Sequence, residues 1–430
     1  MPENKNSTDT LCVLPWRHFI IDNRGALHLC CQTLSQGMPN VDETGRTYRI
    51  QDLDSLDEAW NSAFMKQVRQ EMLTGQRPQP CHQCYLAEDH GIESYRQLIN
   101  ERYSDELTTI RSTAAADGSA PPIVRSWEVM LGNQCNLRCR MCFPMNSRGL
   151  IVEWEELYED WTPFSEQATQ QFKWYQQDEF WRRFDYFTRY IDRLHFAGGE
   201  PFLVPEMFTF LERLIELDRA PNIAVTYNTN FTVLPERLFN LWPHFRLVRL
   251  VASIDGYDEI NSFIRYPADW QRIDRNLRFL NANSRRVGVS QLGFNTVVQV
   301  YNIFYLDQLF AYILDNLEQF DPYPILSLLE TPSCFSIQIL PPELKEIAAA
   351  RLQAFQAQFS KRWPDRAIEN ESDQFLQHID GVIQHMMARD RQELIPEFVR
   401  QSQFFDRNRG QKTVEVVPEL APLLAMAEVM

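Results

Sequence analysis

The stretch Gly132-Asn133-Gln134-Cys135-Asn136-Leu137-Arg138-Cys139-Arg140-Met141-Cys142-Phe143-Pro144 follows directly on an apolar run, Ser126-Trp127-Glu128-Val129-Met130-Leu131, that reads as a strand. The three cysteines therefore fall on the loop leaving the first strand of an α/β unit, where such folds put their chemistry. Cysteines at this CxxxCxxC spacing suit one face of a cubane iron–sulfur cluster, whose irons take thiolate ligands, and leave the fourth iron open. Structural zinc, normally closed by four ligands, and unliganded core cysteines are the alternatives on spacing alone. The loop itself holds no fourth Cys or His.

Downstream the chain alternates. Residues 191–197 read as a strand running into Gly198-Gly199-Glu200-Pro201, and strands follow over 223–230, 247–255 and 287–300. Helices are predicted near 205–218, 235–241, 270–281 and 306–317. That alternation predicts a parallel sheet and, over residues 124–340, a partial (β/α)6 TIM-like barrel with its chemistry at the C-terminal strand ends. An insertion over 146–190 separates the first two strands and is dense in aromatics: Trp154, Tyr158, Trp161, Trp174, Tyr175, Trp181 and Tyr186. Its 170–190 part predicts a helix with one aromatic face, a pattern that favours packing over substrate stacking. Its place between the first two strands also fits a lid.

The motifs on the strand ends agree with one another. Gly198-Gly199 permits close backbone approach, though alone it is only a tight turn. Ser253-Ile254-Asp255-Gly256 ends a strand, and Arg265 follows nine residues after Gly256. Taken in order, Cys135/Cys139/Cys142, Gly198-Gly199-Glu200 and Ser253-x-Asp255-Gly256…Arg265 resemble the signature of the radical S-adenosylmethionine (SAM) superfamily, with Met141 where an aromatic is common. The resemblance implies a 4Fe-4S cluster on the three cysteines, whose open iron chelates SAM and whose electron cleaves it to a 5′-deoxyadenosyl radical. It also implies that Gly198, Gly199 and Glu200 hold the SAM amino group, and that Ser253 and Arg265 reach its ribose and carboxylate. An arginine fork suits a carboxylate. Val298 and Gln299 sit where the family's adenine-contacting strand lies. Asn228 and Asn230 suit ribose or substrate, with turn capping as an equal reading.

The N-terminal part carries Cys12, a run from Phe19 through Asn23-Arg24-Gly25 to Cys30-Cys31 that reads as a β-hairpin, a helix near 56–73, and Cys81-His82-Gln83-Cys84 on a Pro-rich loop. A CxxC pair is half of a four-thiolate site, and Cys12 with Cys30 supplies the other half; Cys31 is the alternative to Cys30. The spacing resembles the start of SPASM and twitch modules, which implies a second, auxiliary 4Fe-4S cluster. Here the module precedes the barrel instead of following it, and zinc remains the plain alternative. His18, His28 and His82 read as packing or surface residues, and Cys334 as a core cysteine with a hydrogen-donor role as the sharper alternative.

The 430 residues suffice for two or three domains. We divide them into an N-terminal cysteine-rich auxiliary-cluster module over 1–103, a linker over 104–123, the barrel over 124–340 and a C-terminal helical region over 341–430, with helices near 342–359 and 373–388. A net charge of −16 without a basic cluster disfavours nucleic acid. A polar start and the lack of a long apolar run predict a cytoplasmic protein with no membrane span. Cysteines bunched in such spacings favour metal ligation over disulfides. The resemblance implies a flavodoxin- or ferredoxin-like reductant. An auxiliary cluster fits an oxidation, of a peptide or protein side chain first and of a small metabolite such as a sugar or amino-acid derivative second. A non-catalytic iron–sulfur or zinc binding protein is the reading from another class.

Overall fold

The computed structural model describes residues 9–89, 93–162, 164–368 and 370–425. Two compact units emerge, Met1–Asn133 with Phe164–Thr226, and Gln134–Pro163 with Tyr227–Met430. The strands are β1 (His18–Ile21), β2 (Leu27–His28), β3 (Ser126–Met130), β4 (Arg193–Ala197), β5 (Ala224–Thr229), β6 (Leu247–Ser253), β7 (Gln291–Val298) and β8 (Ile325–Leu328), in the sheet order β2-β1-β3-β4-β5-β6-β7-β8. From β3 onward sheet order equals chain order, and a helix follows every strand. That is the α/β architecture, with six successive β/α repeats, expected from the sequence.

In the first unit, β1 and β2 form the expected antiparallel hairpin. Its turn is held by Asp22, whose Oδ1 accepts from the amides of Arg24 at 2.8 Å and Ala26 at 2.9 Å. Gly25 takes φ +80°, a backbone conformation that favours glycine, and a Cβ there would displace the Gln51 side chain, whose Oε1 would lie 2.1 Å away. A pairing not expected from the sequence is that β1 also runs parallel to β3, with His18 opposite Ser126 and Ile21 opposite Val129. β3 pairs in turn with β4 in parallel. Trp127 and Val129 alternate into the core, and Trp127 meets Phe187 across 6.4 Å.

The part of the aromatic insertion from Phe164 onward is packing in this unit, whereas Trp154, Tyr158 and Trp161 belong to the second unit and are half-buried. The helix expected over 170–190 is confined to Asp178–Phe187, preceded by a single 3-10 turn at Trp174–Gln176. Phe180, Phe184 and Phe187 are buried at helical spacing, and Phe184 meets Phe210 edge-on at 4.6 Å. The helix expected near 56–73 is two, broken at Asn61-Ser62, where Ser62 Oγ caps Met65 N–H at 3.2 Å. Residues 104–123, expected as a linker, begin with the helix Ser104–Thr113. The rest is fastened to the helix Ala63–Leu73: Arg69 Nη1 donates to Gly118 O at 3.2 Å, and a Cβ on Gly118 would meet Lys66 O at 2.2 Å.

In the second unit β6, β7 and β8 pair in parallel, Ser253 opposite Asn295 and Val298 opposite Leu328. The helix Trp270–Asn283 buries Trp270, Ile273, Leu277 and Leu280, one stripe along its length. The expected C-terminal helices run over Pro342–Arg362 and Glu371–Ala388. A third, Ile395–Arg409, was not anticipated; it has Pro396 in its first turn and ends on Gly410 in the left-handed conformation at φ +62°. Among the described residues no helix is long and apolar enough to cross a membrane.

Candidate metal centres

The first unit holds Cys12, Cys30, Cys81, Cys84, Gly198, Gly199 and Glu200; the second holds Cys135, Cys139, Cys142, Asn228, Ser253, Arg265 and Val298. Cys12 and Cys30 bracket the hairpin, as expected. Cys81 ends a 3-10 turn, and Cys84 lies in the first turn of the helix His82–Asp89 where a loop was expected. All four are buried. The Cys81 thiol is pushed up by burial and then by Cys30, Cys12 and Cys84, which stand within electrostatic reach of it. Cys12 is pushed up to about 12, by burial first and then by Cys30 and Cys84, with Arg96 opposing. Cys30, at the N-cap of the helix Cys31–Ser35, stands within electrostatic reach of Cys12 and Cys81, and Cys31 stands within reach of Cys30 and Cys84.

Arg96 ties this set to the unit. Its Nη1 donates to Leu11 O at 2.6 Å, and its Nε and Nη2 bind Glu88 at 2.9 and 2.6 Å. His18 and His28 are buried and bonded to Ser126 and Asp22, as packing residues should be.

Gly198 takes φ +101°, and a Cβ there would lie 2.9 Å from Asn23 Oδ1 and 3.2 Å from Met130 Cβ. Crowding by the hairpin turn therefore already requires a glycine at the end of β4. Glu200 is buried, and its Oε1 accepts from Phe202 N–H at 3.2 Å, capping the turn Pro201–Leu203.

In the second unit the three-cysteine loop is held by amides. Asn230 Nδ2 lies 4.0 Å from Cys135 Sγ and donates to Asn136 Oδ1 at 3.0 Å, while Asn136 Nδ2 donates to Thr232 Oγ1 at 2.8 Å. Asn230 thus orders the loop, whereas Asn228 stands half-buried on β5. Cys139 is buried and Cys135 and Cys142 are half-buried. Burial, with Cys139 adding to it, pushes the Cys142 thiol up to about 12. Arg265 stands within electrostatic reach of Cys139 and Cys142 and favours their thiolates.

Arg265 is itself paired: its Nε lies 2.7 Å from Asp255 Oδ2, both side chains being buried. Asp255 is oriented by Val297 N–H at 2.8 Å, and Asn302 Nδ2 donates to its carbonyl at 2.8 Å. Its role as counter-ion in the Ser253-x-Asp255-Gly256 motif was not read from the sequence. Ser253 is half-buried at the end of β6. The Val298 side chain is fully buried and its carbonyl accepts from Leu329 N–H at 3.1 Å, which leaves no side-chain surface there for an adenine. Cys334 is buried in the turn Ser333–Phe335.

The donor chemistry fits iron–sulfur clusters: two groups of cysteines, each with an arginine in reach. Among the described residues no three His, Cys, Asp or Glu side chains converge as on a single metal ion. A four-iron cluster takes each thiolate at a different iron, so its ligands need not meet at one point.

Residues 129–298 match the radical SAM superfamily. Residues 12–85 match SPASM, an iron–sulfur cluster-binding domain, so a SPASM-type region precedes a radical SAM region. Such regions imply a SAM-binding 4Fe-4S cluster, an auxiliary 4Fe-4S cluster and SAM. No curated protein matches the chain. Among solved structures, native anSMEcpe with bound AdoMet and Cp18Cys peptide is similar at 16% identity and a TM-score of 0.36, over 54% of this chain and 60% of that one. Streptococcus suis SuiB bound to S-adenosylmethionine is similar at 13% and 0.34, over 71% and 62%. SuiB bound to the precursor peptide SuiA gives 12% and 0.33, over 68% and 62%. The chain spans about three fifths of the length of these proteins.

Proposed function

We propose that this chain is a radical SAM oxidoreductase that modifies a peptide or protein side chain. Cys135, Cys139 and Cys142 are the ligands of the SAM-binding cluster, and Cys12, Cys30, Cys81 and Cys84 those of the auxiliary cluster. When bound and reduced by a flavodoxin- or ferredoxin-like donor, the first cluster supplies the electron that cleaves SAM to methionine and a 5′-deoxyadenosyl radical, which abstracts a substrate hydrogen. The observation that carries this reading is the half-buried three-cysteine loop beside a buried arginine, Arg265, that Asp255 holds in place.

The residues have separate tasks. Asn230 and Asn136 fix the loop that carries Cys135. Arg265 offsets thiolate charge and offers its remaining N–H groups to a carboxylate. Glu200 offers its carboxylate to an ammonium. Gly198 and Gly199 keep side chains away from SAM, and Ser253 and Asn228 offer polar contacts at strand ends. Val298 contributes through its backbone neighbourhood only. Cys12, Cys30, Cys81 and Cys84 would hold the auxiliary cluster, which would supply the acceptor for the second electron that a substrate radical must lose in a two-electron oxidation.

The test is anaerobic reconstitution of wild type and of the Cys135→Ala/Cys139→Ala/Cys142→Ala variant. Wild type should hold about eight irons, as two cubanes require, and form 5′-deoxyadenosine with dithionite. The variant should keep half the iron and form none. Zinc in place of iron, with no SAM cleavage by wild type, defeats the reading.

A further inference from the structure

The C-terminal helix Ile395–Arg409 has no part in the signature motifs, yet its last turn is bonded to the cysteine loop. Arg140, between Cys139 and Cys142, has a fully buried side chain. Its Nη2 donates to Asp406 Oδ1 at 2.6 Å and to Gln411 Oε1 at 3.0 Å. The guanidinium lies over the Phe263 ring at 3.8 Å, and its Nε and Nη1 have no hydrogen-bond partner among the described residues. Asp406 is thus the counter-charge of Arg140. Thr413 orients that carboxylate, donating from N at 2.7 Å and from Oγ1 at 3.0 Å.

A second link runs through Arg138. Its Nη1 donates to Glu153 Oε1 at 2.9 Å, and the same carboxylate takes Arg409 Nη2 at 2.6 Å on Oε2 and Nε at 3.2 Å on Oε1. Arg409 is buried over Phe405 at 4.1 Å and stands within electrostatic reach of Cys139. Between these links the loop backbone is tied to the chain around Arg265, Arg138 N–H to Tyr266 O at 2.5 Å and Arg140 N–H to Ile264 O at 2.9 Å.

We infer that the end of this helix is a clamp that sets the conformation and the charge around the three-cysteine loop, with Asp406 and Arg409 as positioning residues for the SAM-binding cluster. The inference rests on the function proposed above. Net charge near a cluster is one of the levers on its potential. Removing the Asp406 charge leaves Arg140 uncompensated, and removing the Arg409 charge leaves Glu153 with Arg138 alone. The two changes therefore act in opposite directions, which loss of packing alone does not do.

The experiment uses the full chain with Asp406→Asn, Arg409→Gln and Arg409→Lys. In reconstituted protein, redox titration of the SAM-responsive electron paramagnetic resonance signal should give a higher midpoint for Asp406→Asn and a lower one for Arg409→Gln, with the auxiliary signal unmoved. Equal midpoints in wild type, Asp406→Asn and Arg409→Gln, or shifts of the same sign in the two variants, overturn the charge role. In metal-free protein, hydrogen exchange at the Arg138 and Arg140 amides should quicken about tenfold in both charge-removing variants, as loss of a hydrogen bond to a charged group allows. Wild-type exchange at both amides overturns the clamp. That arm stands even where wild type forms no SAM-responsive cluster, an outcome that sinks the functional reading instead. Should the neutral variants unfold, Arg409→Lys decides. It keeps the charge and loses the fork, so a wild-type midpoint with quicker exchange supports the clamp, and wild-type exchange overturns it.

Discussion

The two groups of cysteines are built differently. Cys12, Cys30, Cys81 and Cys84 are all buried, and one arginine, Arg96, stands in reach of three of them while bound to Glu88. Cys135, Cys139 and Cys142 sit on a loop with two members half-buried, interleaved with arginines and facing the Arg265–Asp255 pair. A closed shell suits a centre that only passes electrons; an open one suits a centre that must meet a ligand. Burial and cysteine count both separate the two.

The largest expected effect comes from breaking each group in turn. Cys81→Ala/Cys84→Ala should remove the auxiliary cluster and leave 5′-deoxyadenosine formation in place, whereas Cys142→Ala should abolish it. Equal loss of SAM cleavage in both would erase the distinction. Next in size are the arginines, followed by urea unfolding of metal-free protein. Arg265→Met strands Asp255, whose side chain is fully buried, and should cost about 3–5 kcal/mol. Arg96→Met should cost less, about 1–3 kcal/mol, since Glu88 keeps its bond from Ser94 Oγ at 2.5 Å. A reversed order would mean that the four-thiol unit depends more on its ion pair than the loop does.

The first unit should carry a pH effect of its own. His18 is held down to about 3, by burial first and then by the charge of Arg193. Its folded value lies below the unfolded one of about 6.5, so the unfolded chain binds the extra proton between the two. Stability should therefore be level above pH 6.5 and fall towards acid by up to about 1.4 kcal/mol per pH unit from this group. His18→Gln should flatten that limb, and an unchanged slope would show that another group sets it. The smallest change is Ser62→Ala, which removes the cap on Met65 and should cost about 1 kcal/mol without altering the redox signal of the cysteine loop.

How much of this could be read from the chain depends on range. The strands before Gly198 and Asp255 and the stripe of Trp270, Ile273, Leu277 and Leu280 are local patterns, and they are where expectation and structure agree. β8 escaped because Ile325–Leu328 is half exposed and carries little apolar alternation. The helix near 56–73 was read as one because Asn61-Ser62 fits either a helix interior or a break until the cap is seen. The network of Arg138, Arg140, Glu153, Asp406 and Arg409 was out of reach. Its charges are ordinary surface residues in the sequence, and 266 residues separate Arg140 from Asp406. The pattern Phe404-Phe405-Asp406-Arg407-Asn408-Arg409-Gly410 was visible, but nothing local says what it faces.

The parallel pairing of β1 with β3 sets a schedule for biosynthesis. His18 and Ser126 are 108 residues apart. At a translation rate of about 5–20 residues per second, the hairpin waits roughly 5–20 s beyond the ribosome before its neighbour is made. Throughout that interval β1 presents an unsatisfied strand edge, the kind of surface that recruits another chain. A helper that shields nascent edges should therefore raise the yield of this protein.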